Sequence, residues 1–178
     1  SAIAGPALER LGADVTVIHS EPDGRNINDG CGSTHPAALQ AAVTAIGADA
    51  GLAFDGDGDR VLAVGDDGTL IDGDDLLAVI GVDRHERGLL PGSTVVVTVM
   101  ANLGLRRALA DNGIAVLETA VGDRHILEAL EAEGLTLGGE QSGHVIFRDL
   151  ATTGDGLLTG IQRSEERRVG KECRSRWS

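Results

Sequence analysis

Residues 51–60 read Gly51-Leu52-Ala53-Phe54-Asp55-Gly56-Asp57-Gly58-Asp59-Arg60, an apolar run that stops at Phe54 and gives way to three carboxylates at alternate positions. The pattern predicts a buried strand that runs into a tight loop. Carboxylates about 4 Å apart repel by roughly 4 kcal/mol per pair at an effective dielectric near 20, so such a loop makes best sense with a hard cation among its oxygens. Gly56 and Gly58 allow the tight backbone that turns alternate side chains toward one centre. Asp55, Asp57 and Asp59 are the candidate metal ligands, with the cationic Arg60 directly beside them.

Upstream of this stretch, helical spacing runs over residues 2–11 and Gly12 is placed to end it. Residues 15–18 then read as a strand and 19–33 as a polar loop. Pro36 suits the first turn of a helix capped by Thr34 or His35, which runs to Ile46 and is stopped by Gly47. Downstream, residues 61–64 and 69–71 flank Asp66-Asp67-Gly68 as a hairpin, and the stretch from Asp72 to Asp74 precedes a helix around 76–80 with acidic residues at its start. The charged, glycine- and proline-bearing stretch 83–92 predicts a domain boundary. Beyond it come a strand at 94–99, a helix at 103–112, a strand at 114–117, a helix at 123–133 opened by Asp123, and a strand at 135–137. That strand leads into Gly138-Gly139-Glu140-Gln141-Ser142-Gly143-His144. The expected fold class is α/β, with two similar α/β/α units of mixed sheets, at 1–84 and 85–162. In both halves Ala-Leu, three residues, glycine, two residues and valine recur (from Ala7 and from Ala108), and a later helix, glycine and strand lead into a glycine-rich loop.

The 178 residues are 42% hydrophobic but only 2% aromatic, which predicts aliphatic helices on aliphatic sheet. No segment approaches 18 uninterrupted apolar residues, and Ser1 opens no basic, apolar leader, so neither a membrane contact nor a signal peptide is expected and the default compartment is the cytoplasm. The net charge of −13 is uneven. Residues 163–178 hold six basic and three acidic groups, leaving nine arginines against 25 acids in the first 162. The body therefore repels nucleic acid. Residues 163–178, with the only lysine and tryptophan, are compositionally foreign and are read as a non-native tail. Cys31 and Cys173 lie far apart and form no disulfide pattern; Cys31, without an evident base, reads as an inert thiol.

The loop Asp55-Gly-Asp-Gly-Asp-Arg60, the Gly139-Glu-Gln-Ser-Gly-His144 loop, and the pieces Asn26-Ile-Asn-Asp-Gly-Cys-Gly-Ser-Thr-His-Pro36, Val121-Gly-Asp-Arg124 and Thr152-Thr-Gly-Asp-Gly156 together resemble the α-D-phosphohexomutase superfamily, most closely its phosphoglucosamine mutase branch. The resemblance covers nearly all of residues 1–162. It implies most of the second domain and nearly all of the third domain of a four-domain enzyme, with domains 1 and 4 lying outside. It further implies that Asp55, Asp57 and Asp59 bind Mg²⁺ beside a phosphoserine oxygen from the first domain. On the same basis Arg60 stands next to that phosphoserine, Glu140 and Ser142 grip hexose hydroxyls, and His144 lies near the reacting groups, so that Arg60 and His144 are the catalytic candidates. Gln141 and Gly143 favour the glucosamine branch over phosphomannomutase or phosphoglucomutase. The implied reaction interconverts glucosamine 6-phosphate and glucosamine 1-phosphate through a bisphosphate, on the way to UDP-N-acetylglucosamine. No Ser-His-Asn-Pro serine loop occurs in the sequence, and the chain by itself is expected to be inactive.

Other readings of the same residues stand beside this one. A calcium EF-hand would require glycine and glutamate at the sixth and twelfth loop positions, where Arg60 and Asp66 stand, so it fails. A phosphatase with Asp55 as nucleophile would want a downstream lysine, and residues 60–162 contain none. An acidic cation-binding module without catalysis remains a third reading. His19, His35, His85 and His125 lack zinc spacing. Asp123 and Arg124 read as the cap and charge of a helix start.

Overall fold

Residues 3–169 are described by the structure, a computed structural model. Helices α1 (Ala4–Arg10) and α2 (Ala37–Ile46) flank the long polar loop. Gly12 follows α1 with φ +85°, and Gly47 ends α2 in the left-handed conformation, the backbone form that glycine adopts without cost. The expected cap of α2 does not form. Thr34 Oγ1 lies 3.1 Å from His35 Nδ1, so the two candidate residues pair with each other, and Pro36 occupies the capping position without a side-chain bond.

The first sheet is antiparallel, in the order β1 (Ala50–Phe54), β2 (Val61–Gly65), β3 (Leu70–Ile71). Phe54 sits opposite Val61, which makes residues 55–60 the connection of a hairpin. The second predicted hairpin is present too, turning at Gly68 with φ +84°. The strand expected at 15–18 is absent. An extended segment becomes a strand only by exchanging backbone bonds with a neighbour, and among the described residues this one joins no sheet. It lines a cleft of about 1990 Å³ together with β1, and Val17 stays exposed.

Helix α3 (Gly73–Glu86) extends beyond the predicted 76–80 at both ends, and its early start is set by Asp72, which caps it. The Asp72 side chain accepts from the Asp74 and Asp75 amides at 3.0 and 3.1 Å while Asp75 accepts from the Asp72 amide. After a 3-10 turn at Pro91–Ser93, β4 (Thr94–Thr98), α4 (Leu103–Asp111), β5 (Ala115–Thr119), α5 (Asp123–Glu133), β6 (Leu137–Gly139) and β7 (Val145–Phe147) follow. The second sheet is mixed, in the order β5-β4-β6-β7, with only β7 antiparallel to its neighbour. β7 was not anticipated, being three residues long. Helix α6 (Gly156–Val169) runs past Gln162 into the first residues of the stretch 163–178 that the sequence set apart as a non-native tail. Residues 170–178 of the predicted tail lie outside the described residues.

Alternation along β4 explains the layers. Val95 and Val97 join a core with Leu76, Leu77, Leu109 and Phe147, whereas Val96 turns to Ile126 and Leu130 of α5. The strand is buried on both faces, as a sheet covered by helices on each side must be. Val61 and Ala63 of β2 belong to the same core as Val95, so the two sheets share one apolar interior with α3 packed against both. No helix among the described residues is long and apolar enough to cross a membrane.

Candidate functional site

Asp55 is fixed by the backbone it begins. Its Oδ1 accepts from the Gly58 amide at 3.1 Å and the Arg60 amide at 3.2 Å, and Gly58 has φ +76°, so the carboxylate organises the loop from inside. Asp55, Asp57 and Asp59 each offer one oxygen, all within 4.8 Å of one another. Arg60 Nε lies 3.7 Å from Asp55 Oδ2 and 3.8 Å from Asp59 Oδ1. One guanidinium against three carboxylates leaves net negative charge in a partly buried loop. Asp59 Oδ1 is buried without a hydrogen-bond donor. The oxygen donor set, its spacing and this unfilled acceptor fit a hard metal ion.

The loop is packed from two sides by motifs distant in sequence. The Ser33 amide donates to the Phe54 carbonyl at 3.0 Å, and a Cβ on Gly32 would meet that carbonyl oxygen at 2.5 Å, so the 26–36 segment lies against the end of β1. From the other side the Gly156 amide donates to the Gly58 carbonyl at 2.9 Å, and a Cβ on Gly156 would stand 2.5 Å from the Arg60 carbonyl oxygen.

Residues 140–144 form the turn between β6 and β7, closed by the Gly143 amide on the Glu140 carbonyl at 3.0 Å and the Glu140 amide on the His144 carbonyl at 2.9 Å. This turn is joined to the metal-type loop. The Val61 amide donates to the Gly143 carbonyl at 3.1 Å, and Arg60 and His144 pair as an antiparallel bridge. His144 Nδ1 lies 3.0 Å from Asp59 Oδ2, and its ring is 4% exposed. Helix α3 seals the joint: a Cβ on Gly73 would lie 2.1 Å from the Glu140 carbonyl oxygen, and Gln141 Nε2 donates to Asp72 Oδ2 at 3.1 Å. Asp74, at the same helix end, is buried. Its Oδ2 accepts from the Asn102 amide at 2.7 Å, and burial pushes its carboxyl above the usual aspartate range.

The structure thus brings together Asp55, Asp57, Asp59, Arg60 and His144, with Glu140 and Ser142 on the adjoining turn. Glu140 Oε1 accepts from the Gly122 amide at 3.0 Å and Ser142 Oγ lies 3.5 Å from Glu140 Oε2. The sequence gives no sign of this role for Gly122, although the residue lies in the Val121-Gly-Asp-Arg124 segment. A glycine ahead of a helix carries no sign that its amide reaches a carboxylate 18 residues on. The capping position of α5 is Gly122, which has no side chain to cap with; Asp123 stands inside the first turn, where its Oδ1 accepts the Arg124 amide at 2.7 Å, and Arg124 pairs with Glu128 at 2.8 Å on the surface.

Over residues 72–172 the chain matches the phosphoglucomutase/phosphomannomutase alpha/beta/alpha domain III. It is 58% identical over 160 residues to the phosphoglucosamine mutase of Pelotomaculum thermopropionicum, covering 90% of this chain and 36% of that protein. To the phosphoglucosamine mutase of Thermobifida fusca it is 57% identical over 159 residues, with 89% and 35% covered. A phosphoglucomutase/phosphomannomutase family protein of Burkholderia thailandensis shares the fold at TM-score 0.77 and 34% identity, covering 90% of this chain and 36% of that one. The chain therefore spans about a third of the length of the curated relatives it matches. An aspartate loop stitched edge to edge to a Glu140–His144 turn, and a third-domain match running through that turn, lead to one assignment: the chain belongs to the phosphoglucomutase/phosphomannomutase family.

Proposed function

We propose that this chain is part of a phosphoglucosamine mutase and contributes the metal loop and the sugar-hydroxyl loop of an enzyme that interconverts glucosamine 6-phosphate and glucosamine 1-phosphate in the cytoplasm. The observation that carries this reading is the direct joining of the two loops, Val61 to Gly143 and Arg60 to His144. Identity of 58% to a protein of that name supports the choice of hexosamine. In this reading residues 1–84 form the second domain and 85–162 the third, and the rest of the parent protein supplies the phosphoserine.

Asp55, Asp57 and Asp59 would hold Mg²⁺, which when bound neutralises charge on the oxygens of the transferring phosphoryl group. Arg60 adds a second positive charge on the same side, and its side chain is about half exposed, within reach of an incoming phosphate. Glu140 is oriented by the Gly122 amide, and with Ser142 it presents acceptor and hydroxyl groups to the ring alcohols of a hexose. Such a pair can hold similar hydroxyls in either orientation of the sugar, as a bisphosphate that must turn over requires. Asp55 is a poor covalent nucleophile here, since one oxygen takes two amides and the other faces Arg60.

A chimera tests the reading. When residues 3–162 replace the matching segment of the Thermobifida fusca enzyme, conversion of glucosamine 6-phosphate should persist and should fall at least 100-fold in the Asp57→Asn version. A folded chimera that converts mannose or glucose phosphates in preference to glucosamine phosphate would overturn the substrate assignment.

A further inference from the structure

We propose that His144 is a positioning residue for Asp59: its Nδ1–H holds Asp59 Oδ2 and thereby presents Oδ1 to the metal ion. This inference rests on the metal-loop reading above and concerns the same site. His144 Nδ1 and Asp59 Oδ2 are 3.0 Å apart. The other ring nitrogen, Nε2, is buried and has no hydrogen-bond partner. An ionised carboxylate oxygen can only accept, so the ring nitrogen that faces Asp59 Oδ2 must carry the hydrogen, and a proton on Nε2 instead would set two acceptors face to face and leave a buried donor unsatisfied. The ring proton is therefore assigned to Nδ1, directed at Asp59.

The surroundings hold the ring in this orientation. The backbone bridge between Arg60 and His144 fixes the spacing of the two chains that carry Asp59 and the imidazole. Gly154 packs against the end of the ring away from Asp59, where an added Cβ would stand 2.5 Å from both Cε1 and Nε2. A side chain at position 154 would displace the imidazole, so this glycine of the Thr-Thr-Gly-Asp-Gly segment serves the histidine. With Oδ2 occupied by the histidine, the buried Oδ1, which no hydrogen-bond donor meets, is the oxygen left for an ion. Partners that orient metal-binding groups in this way typically change metal affinity by about 10- to 100-fold when removed.

Two measurements on the 178-residue chain test this. In the metal-free chain, long-range ¹H–¹⁵N correlation spectra should show His144 as the Nδ1–H tautomer; an Nε2–H tautomer overturns the proposal. Titration with Mn²⁺ alone, followed by electron paramagnetic resonance, should show about 10- to 100-fold weaker binding in His144→Ala. His144→Asn, whose amide can place an N–H where Nδ1 was, should stay within about threefold of wild type. Once Asp59 is Asn, His144→Ala should have no further effect. Equal weakening in His144→Ala and His144→Asn, or none in His144→Ala, overturns the positioning role. An Nδ1–H tautomer in a wild-type chain that holds no Mn²⁺ removes the metal reading itself, and this role with it.

Discussion

The Gly143 carbonyl accepts the Val61 amide at 3.1 Å, and a Cβ on Gly143 would stand 2.2 Å from the Val61 carbonyl oxygen. Gly143 also has φ +91°, outside the range that L side chains normally adopt. Only glycine satisfies both conditions, so the contact between the two site loops depends on this residue. Gly143→Ala should destabilise the chain by about 1–3 kcal/mol or more in urea unfolding. Gly134→Ala is the control: it has a similar backbone sign, φ +64°, but nothing within 4 Å of the added methyl, and should cost only about 1 kcal/mol.

Asp74 gives a pH signature. Burial raises its pKa, with the charges of Asp72 and Asp75 adding and the Asn102 amide partly offsetting. A carboxyl whose folded pKa lies above its unfolded value penalises the folded state once ionised, and the penalty disappears as pH falls toward 3.8, the ordinary value for an aspartate. Asp74→Asn keeps an oxygen for the Asn102 amide and cannot ionise. Its stability relative to wild type should therefore be highest near neutral pH and decline as the pH drops to about 4. Urea midpoints at four or five pH values measure this, and a difference that grows with acidification would contradict it.

Arg84 is 4% exposed at its side chain and pairs with Asp149 at 2.6 Å and the Leu89 carbonyl at 3.1 Å, while its guanidinium carbon lies 5.7 Å from the centre of the Phe147 ring. Removing its carboxylate leaves a buried cation with one acceptor fewer. Asp149→Ala should cost about 1.5–3 kcal/mol in the same unfolding assay, the range for hydrogen bonds to charged groups.

How much of this was legible beforehand follows from range in sequence. Residues 51–60 announced a strand and a carboxylate loop because apolar content, glycine spacing and charge all change within ten residues. The turn at 139–144 was equally visible. What could not be seen was that Phe54 pairs with Val61, so that the aspartate loop is a hairpin connection. That pairing depends on two-stranded register, and β7, only three residues long, escaped for the same reason. The segment at 15–18 has the composition of a strand yet joins no sheet, because strand formation depends on a neighbour that composition does not reveal. The contacts that assemble the site, His144 with Asp59 and Gly122 with Glu140, connect residues 85 and 18 positions apart. Local patterns carry no information at that range.

On the proposed reading the phosphoserine comes from the rest of the parent protein, so the 178-residue chain should show no conversion of glucosamine 6-phosphate, with or without Mg²⁺. A coupled assay for glucosamine 1-phosphate checks this, and turnover that disappears in Asp57→Asn would contradict it.

The most direct measurement of a single composite site is paramagnetic broadening by substoichiometric Mn²⁺ in ¹H–¹⁵N spectra of the chain. Amides of residues 57–61 should broaden first, together with those of 142–144, since the Gly143 carbonyl and Val61 amide are hydrogen-bonded. Broadening that begins at other acidic stretches such as 66–67 or 128–133, or that spares 142–144 while 57–61 vanish, would contradict it.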